Sequence, residues 1–287
     1  MKTKNKILLA IDIDGTLIPN STETPNFDGI KKFGKLLEEN PQFILCYPTG
    51  RTFQMACEAI EKYLLPMPDF LIPFNGAALY RRNGKKWEED KKYRQKISAS
   101  NSDFNKEKII SILSQSKDLK IQEDSKQHQF KAGFYVDLKI DSGKITKEAR
   151  KLLEKNGIKE IKIIYSQDLK GKTGILEILA DNISKLAGIE YLLEHPLQLP
   201  LIKGERKSDS SPNPSSQKME EISVVFAGDE GNDLDVFASG IPSILVGNAR
   251  EEIKTKARQM NLNSIYFAQG KEIEGVLEGL KSIAPLC

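Results

Sequence analysis

Four aspartates in two short motifs carry most of the chemistry open to this chain. Asp12-Ile13-Asp14-Gly15-Thr16 closes the apolar run KILLAIDI of residues 6–13, and Gly228-Asp229-Glu230-Gly231-Asn232-Asp233 follows the apolar run Ser223–Ala227. If the two runs are neighbouring parallel strands, Asp12, Asp14, Asp229 and Asp233 meet on one rim. That rim is the carboxyl edge, where open α/β sheets bind ligands. Two carboxylates about 4 Å apart repel by roughly 4 kcal/mol at an effective dielectric of about 20. A cluster of four therefore needs protonation or a cation. Oxygen donors with no nearby cysteine or histidine favour Mg²⁺. Taken alone, the first motif could also be a polar strand-to-loop turn, where Asp and Gly are common. A calcium loop counted from Asp12 places Glu23 at its last ligand position. It also places Leu17 where the sharp turn needs glycine, and its flank is strand-like, so that reading is set aside.

Two further elements suit an anion beside that cation. Pro48-Thr49-Gly50-Arg51 follows the apolar stretch Gln42–Tyr47 and precedes a helical pattern. A hydroxyl and backbone N–H groups at a helix start form a phosphate cradle. By itself the segment is equally compatible with ordinary loop chemistry. Lys185 falls in the first turn of the helix after Asp181-Asn182-Ile183-Ser184. The helix dipole disfavours a cation there, unless it faces an anion.

These groups need a rigid frame. The runs at 6–13, Gln42–Tyr47, Phe70–Phe74, Ser223–Ala227 and Ser243–Val246 read as strands buried on both faces. Helical patterns over Phe27–Asn40, Thr52–Leu65, Ile183–Glu194 and Asn232–Ala238 lie between them. The alternation predicts an α/β fold with right-handed crossovers. The middle differs. Phe130–Ile140 alternates apolar with polar residues, which predicts a strand with one wet face. Ile145–Asn156 follows as an amphipathic helix capped by Gly157, and Ile158–Tyr165 and Ile175–Leu179 read as strands. This stretch is expected to be a separate half-covered sheet at 81–180, inserted into a core formed by 1–80 and 181–287. Within the core, Ile202–Glu221 holds five serines, two prolines and eight charges in 20 residues, which predicts a flexible loop.

Bulk composition narrows the function classes. The 287 residues carry a formal net charge of +3 from 43 basic and 40 acidic residues, well mixed, so charge gives no reason to expect a nucleic-acid partner. No run of 18 apolar residues marks a membrane span, and the N-terminal apolar stretch is too short for a signal-peptide core. Three cysteines without metal-like spacing suggest a reducing, cytoplasmic setting. Two histidines leave little for a His-based triad.

The ordered set, Asp-x-Asp, then Thr-Gly-Arg, then Lys, then Gly-Asp-x-Gly-Asn-Asp, resembles the haloacid dehalogenase-like hydrolase superfamily. The resemblance is to its branch with a large α/β cap between the second and third motifs. Phe74-Asn75-Gly76-Ala77 looks like that branch's segment before the cap. Within the branch, Phe130–Asp137 and Leu176-Glu177-Ile178-Leu179 with Ser184-Lys185 are similar to sucrose-phosphate phosphatases and related sugar-phosphate phosphatases. That group usually has Gly after the motif lysine and Asp at the position of Glu177; this chain has Leu186 and Glu177.

The resemblance implies a Rossmann-like parallel sheet core with an inserted α+β cap, acting on a small phosphorylated substrate with Mg²⁺. Asp12 is then the nucleophile and Asp14 the general acid and base. Asp12, the Asp14 carbonyl and Asp229 hold the metal, and Asn232 and Asp233 orient its waters and Lys185. Thr49, Gly50 and Lys185 grip the phosphoryl oxygens. Arg51, Asn75, Lys131 and Glu177 are candidates for the leaving group, although a solvated sheet face also explains Lys131 and Glu177. Rival readings are a phosphosugar phosphotransferase or mutase, and a sugar-phosphate-binding protein with a decayed site. A receiver module shares the Asp, Thr and Lys but is shorter and lacks Gly-Asp-x-Gly-Asn-Asp.

Overall fold

The computed structural model describes residues 6–167, 173–195, 222–260 and 262–283. The expected flexible loop at 202–221 lies outside the described residues. The first half begins β1 (Ile7–Ile11), α1 (Phe27–Glu39), β2 (Phe43–Pro48), α2 (Phe53–Lys62), β3 (Phe70–Ile72). A hairpin β4 (Tyr80–Asn83) and β5 (Lys86–Glu89), then α3 (Lys91–Ser100), come next. The middle is α4 (Lys106–Leu113), β6 (Leu119–Ile121), β7 (Lys131–Val136), α5 (Ser142–Lys155), β8 (Ile161–Gln167) and β9 (Gly174–Ala180). The chain returns through α6 (Lys185–Glu194), β10 (Ser223–Gly228), α7 (Leu234–Ala238), β11 (Ser243–Leu245), α8 (Glu251–Gln259), β12 (Ile265–Phe267) and α9 (Glu272–Ile283).

The large sheet has eight strands in the order β12-β11-β10-β1-β2-β3-β4-β5. Its first six strands are mutually parallel, and β4 and β5 are antiparallel. β1 is central, with Ile11 opposite Ala227 on one side and Ala10 opposite Cys46 on the other. Every residue of β1 is buried because both faces carry helices. Ile7, Leu9 and Ile11 pack with Ile30, Phe33, Ile60 and Leu280 beneath α1, α2 and α9. Leu8 and Ala10 share the opposite core with Ile189, Phe237 and Ile253 from α6, α7 and α8. Side-chain caps start the helices that carry site residues: the Thr52 hydroxyl accepts from Met55 N–H, and the Ser184 hydroxyl from Ala187 N–H.

The second sheet is antiparallel, in the order β6-β7-β9-β8. Phe134, Leu176 and Ile178 point from it into a core closed by Ile109 and Leu113 of α4 and Ile145, Ala149 and Leu153 of α5.

Two expectations are revised. The boundary at 81 falls inside β4, and the β4–β5 hairpin extends the large sheet instead of the second one. Tyr93 and Ile97 likewise anchor α3 in the large core, where the Tyr93 hydroxyl donates to Gly76 O at 2.6 Å. The alternating stretch at 130–140 ends as a strand at Val136, and its polar face is not wet. Lys131 and Gly133 are buried because that face turns toward the large sheet's carboxyl edge.

Candidate active site

The parallel pairing of β1 with β10 brings the two aspartate motifs together. Asp12 N–H donates to Ala227 O at 3.0 Å, which continues the ladder one step past β1. Asp12, Asp229 and Asp233 are all buried, and each offers a carboxylate oxygen within 4.8 Å of the others. Asp12 Oδ1 accepts from Ile13 N–H at 2.8 Å, and Asp229 Oδ1 from the Thr16 hydroxyl at 3.1 Å. Asp233 Oδ2 accepts from the N–H groups of Asp229 and Glu230, both at 3.0 Å. Gly15 permits the approach of the two motifs. Its φ is +73°, and a Cβ there would overlap Asp229 Oδ2.

Lys185 is the cation built into this cluster. Its Nζ lies 2.8 Å from Asp12 Oδ2 and 2.6 Å from Asp233 Oδ1, with no solvent exposure. One lysine does not balance three carboxylates. Burial pushes the Asp12 carboxyl up to about 7, with Asp233 and Asp14 adding to the rise and Lys185 opposing it. Burial likewise drives Asp229 well above the usual carboxylate range, reinforced by Asp12 and Asp233. Burial alone would lower Lys185, but Asp12 and Asp233 outweigh it and hold the ammonium firmly protonated. A compact set of hard oxygen donors short of positive charge fits a small divalent cation. Both oxygens of Asp233 are already engaged, and so are those of Asp12, with Ile13 N–H and Lys185; among the described residues, Asp229 Oδ2 is the one oxygen of the three carboxylates without a hydrogen-bond partner.

Asp14 is placed differently from its neighbour. Its carboxylate is clamped by Arg51, with Nε to Oδ2 at 2.7 Å and Nη2 to Oδ1 at 2.6 Å. Arg51 also donates to Met55 O at 3.2 Å. Arg51 is thus held by Asp14 rather than free to point at a ligand. Thr49 is buried at the end of β2; its hydroxyl accepts from Arg51 N–H at 3.2 Å, and Asn75 N–H donates to its carbonyl at 2.9 Å. Gly50 lines the cavity beside Asp12.

That cavity, about 510 Å³, runs from Asp12, Asp14 and Gly50 to the polar face of the second sheet. Its volume falls in the range of small-molecule sites. Lys131 and Glu177 form a buried ion pair on its wall. Asn75 ties the two sheets together: Nδ2 donates to Glu177 Oε2 at 2.9 Å, and Oδ1 accepts from Asn232 Nδ2 at 2.9 Å. Asn75 sits in the left-handed region with φ 56°, which Asn tolerates better than most residues. The motif residues Asn75, Lys131, Glu177 and Asn232 thus form one polar chain. Gln122, Lys126, Tyr135 and Gln167 also line the cavity and were not singled out in the sequence. Only the period-two spacing of Lys131, Gly133 and Tyr135 pointed toward that wall.

No helix among the described residues is long and apolar enough to cross a membrane. The family model for sucrose-6F-phosphate phosphohydrolase matches residues 5–283. A HAD-like hydrolase of Nitrosococcus oceani is 30% identical over 293 residues, covering 98% of this chain and 73% of that protein. The mannosylfructose-phosphate phosphatase of Agrobacterium fabrum is 26% identical, covering 96% of this chain and 95% of that protein. The structure of the sucrose-phosphatase from Synechocystis sp. PCC6803, in complex with sucrose and phosphate, superposes with a TM-score of 0.74 at 20% identity. It covers 97% of this chain and 98% of that one. With its fold, its paired aspartate motifs and a family match over nearly the whole sequence, the chain belongs to the sucrose-6F-phosphate phosphohydrolase family, phosphatases of the haloacid dehalogenase type.

Proposed function

We propose that this protein is a Mg²⁺-dependent phosphatase that hydrolyses the phosphate monoester of a sugar or sugar derivative through an aspartyl-phosphate on Asp12. The observation that carries the reading is the buried Asp12–Lys185–Asp233 array beside Asp229, opening into a cavity walled by polar groups of the second sheet. Its similarity to a sucrose-phosphatase and to a mannosylfructose-phosphate phosphatase supports a saccharide leaving group.

Asp12, Asp229 and the Asp14 carbonyl would hold Mg²⁺. When bound, the ion supplies positive charge that offsets repulsion between the nucleophile and the phosphoryl oxygens. Asp12 attacks phosphorus through one carboxylate oxygen. The phosphorus–oxygen bond to the sugar breaks, and the leaving alkoxide takes the proton of the Asp14 carboxyl. Asp14, now ionised, accepts a proton from water as that water attacks phosphorus. The Asp12 acyl–phosphate bond breaks, releasing inorganic phosphate and restoring Asp12. For Asp14 to carry a proton, its clamp with Arg51 must open, so Arg51 is released toward the cavity when substrate enters. Thr49, the Gly50 N–H and Lys185 hold phosphoryl oxygens. Asp233 keeps Lys185 and the Asp229 backbone in place.

Residues from about 106 to 180 act as the cap that reads the leaving group, and the 80–100 segment belongs to the core. The thiols of Cys46 and Cys57 are free, in keeping with a cytoplasmic enzyme. The test is phosphate release from a panel of phosphate esters with and without Mg²⁺. The reading expects Mg²⁺-dependent release that favours sugar phosphates. Isomerised sugar phosphate without free phosphate would instead identify a mutase. No turnover of any ester would identify a binding protein.

A further inference from the structure

We propose that Gln122, seated over Gly133, is a specificity residue that hydrogen-bonds a hydroxyl of a non-ionic, polyhydroxylated leaving group. This inference rests on the phosphatase reading above and adds the chemistry by which the cap recognises its ligand.

Gln122 follows β6 directly. Its N–H donates to Gly133 O at 3.0 Å, extending the pairing in which Ile121 lies opposite Phe134. Phe134 points into the cap's own core, so Gln122 and Gly133 lie on the other face, toward the cavity. Along β7 that face carries Lys131, Gly133 and Tyr135. The gap left by the missing side chain at Gly133 is where the Gln122 amide rests. A Cβ at Gly133 would overlap Gln122 Oε1.

Gln122 is 4% exposed, and its Oε1 is buried without a hydrogen-bond partner. A buried amide oxygen that has lost water and gained no donor is unfavourable. Among the described residues, the adjoining Gln127 amide and Gly133 N–H have no donor to spare. Gln127 Nε2 already donates to the carbonyls of Gln122 and Gly133, at 3.1 and 3.0 Å, and Gly133 N–H donates to Gln127 Oε1 at 2.8 Å. The missing donor therefore comes from the occupant of the cavity that Gln122 lines.

The neighbouring charges indicate what kind of donor fits. Lys131 and Glu177 neutralise one another on the same wall. The Tyr135 hydroxyl accepts from Lys126 Nζ and donates to Glu123 Oε2, both at 2.6 Å. Among the described residues, the cap wall thus presents internally compensated ion pairs and a neutral amide, with no surplus charge for a second ionic group on the substrate. A hydroxyl both donates and accepts, and it satisfies the amide without adding charge. A non-ionic polyol matches this wall better than a carboxylated or bisphosphorylated skeleton.

The experiment compares the ratio of kcat/KM for a sugar phosphate to that for p-nitrophenyl phosphate in the parent protein, Gln122→Leu and Gly133→Ala. Sucrose 6F-phosphate and hexose 6-phosphates serve as the sugar esters. Gln122→Leu keeps much of the volume and removes the amide. Gly133→Ala keeps the amide but forces it off its seat. Both variants should lower the ratio by roughly tenfold or more, mainly through KM, because a site built for a hydroxyl loses discrimination when its polar partner goes. Their combined effect should be no larger than the greater single effect, since both act on one amide. Failure of the two readings is separable. If the parent hydrolyses p-nitrophenyl phosphate but prefers no sugar ester, the leaving-group reading falls and takes this inference with it. If the parent prefers a sugar ester and both variants keep the ratio within about twofold, only the role of Gln122 is overturned. A lowered ratio in Gln122→Leu alone supports the role even if Gly133→Ala does not fold.

Discussion

Lys185 Nζ lies 2.8 Å from Asp12 Oδ2 in complete burial, so the first residue of α6 is the counter-ion of the carboxylate at the end of β1. Ser184 caps that helix and fixes where Lys185 starts, while Asp233 holds the ammonium from the other side at 2.6 Å. This lysine is therefore a structural counter-ion, and in the proposed mechanism it is also the charge that meets the phosphoryl group.

Removing it separates those roles. Lys185→Met leaves three buried carboxylates without their cation, and breaking a buried pair costs about 3–5 kcal/mol. Urea unfolding at pH 7 without Mg²⁺ should show a loss of that size. Saturating Mg²⁺ should recover part of the stability but not the turnover. Equal loss with and without the metal would show that the cation does not sit among these carboxylates.

Asp12→Asn should fold and still bind inorganic phosphate with Mg²⁺. Turnover of p-nitrophenyl phosphate should fall by roughly 10³-fold or more, because the amide is not a competent nucleophile. Activity near the parent rate would remove Asp12 as the attacking group.

The raised carboxyls give a pH dependence of definite sign. Asp12 is pushed from 3.8 to about 7 in the folded protein, and Asp229 moves in the same direction. Between about pH 4 and 7 the folded state holds more protons than the unfolded one. Metal-free stability from these groups is thus full below pH 4 and declines as pH rises to about 7. Mg²⁺ needs the ionised forms, so its affinity should rise across the same window, with protons released on binding. Calorimetric titration in buffers of different ionisation enthalpy measures that release. Proton uptake, or an affinity flat with pH, would contradict the site.

Gly15 offers a steric test. Alanine there must adopt φ near +73° and overlaps Asp229 Oδ2. Gly15→Ala should cost about 1–2 kcal/mol in backbone strain and displace Asp229, weakening Mg²⁺ binding more than it lowers stability. Unchanged affinity would mean that Asp229 does not hold the metal.

The Lys131–Glu177 pair can be tested by asking whether its parts are worth more together than alone. Lys131→Met leaves Glu177 buried and unpaired and should destabilise by about 3 kcal/mol or more. The double variant Lys131→Met with Glu177→Leu should recover most of that loss in urea unfolding. Both should raise KM for sugar esters more than for p-nitrophenyl phosphate. An additive double variant would show that the two residues act independently.

How much was legible depended on the reach of each signal. The buried strands at β1, β2, β10 and β11 were readable because continuous apolar runs are local, and their ends placed Asp12, Thr49 and Asp229 on one edge. The helix start at Ser184 was local too, and it carried Lys185. By contrast, the hairpin at 80–89 looked like part of the inserted segment, because its charged, half-exposed residues carry no signal of which sheet they join. Lys131 and Glu177 could equally have been solvated, since alternation shows which residues share a face but not what covers it.

The sequence by itself determined the residue types at strand ends and helix starts, and with them the carboxylate chemistry. Those features follow from backbone hydrogen bonding and apolar periodicity within a few residues. Only the tertiary structure decided that Arg51 clamps Asp14, that Asn75 joins Asn232 to Glu177, and that Gln122 fills the space over Gly133. Each is a contact between groups distant in the chain or carried on different strands. Asn75 meets Glu177 because two sheets pack with their polar faces toward one another, whereas the other contacts arise from strand order within one sheet, and no local pattern encodes either arrangement.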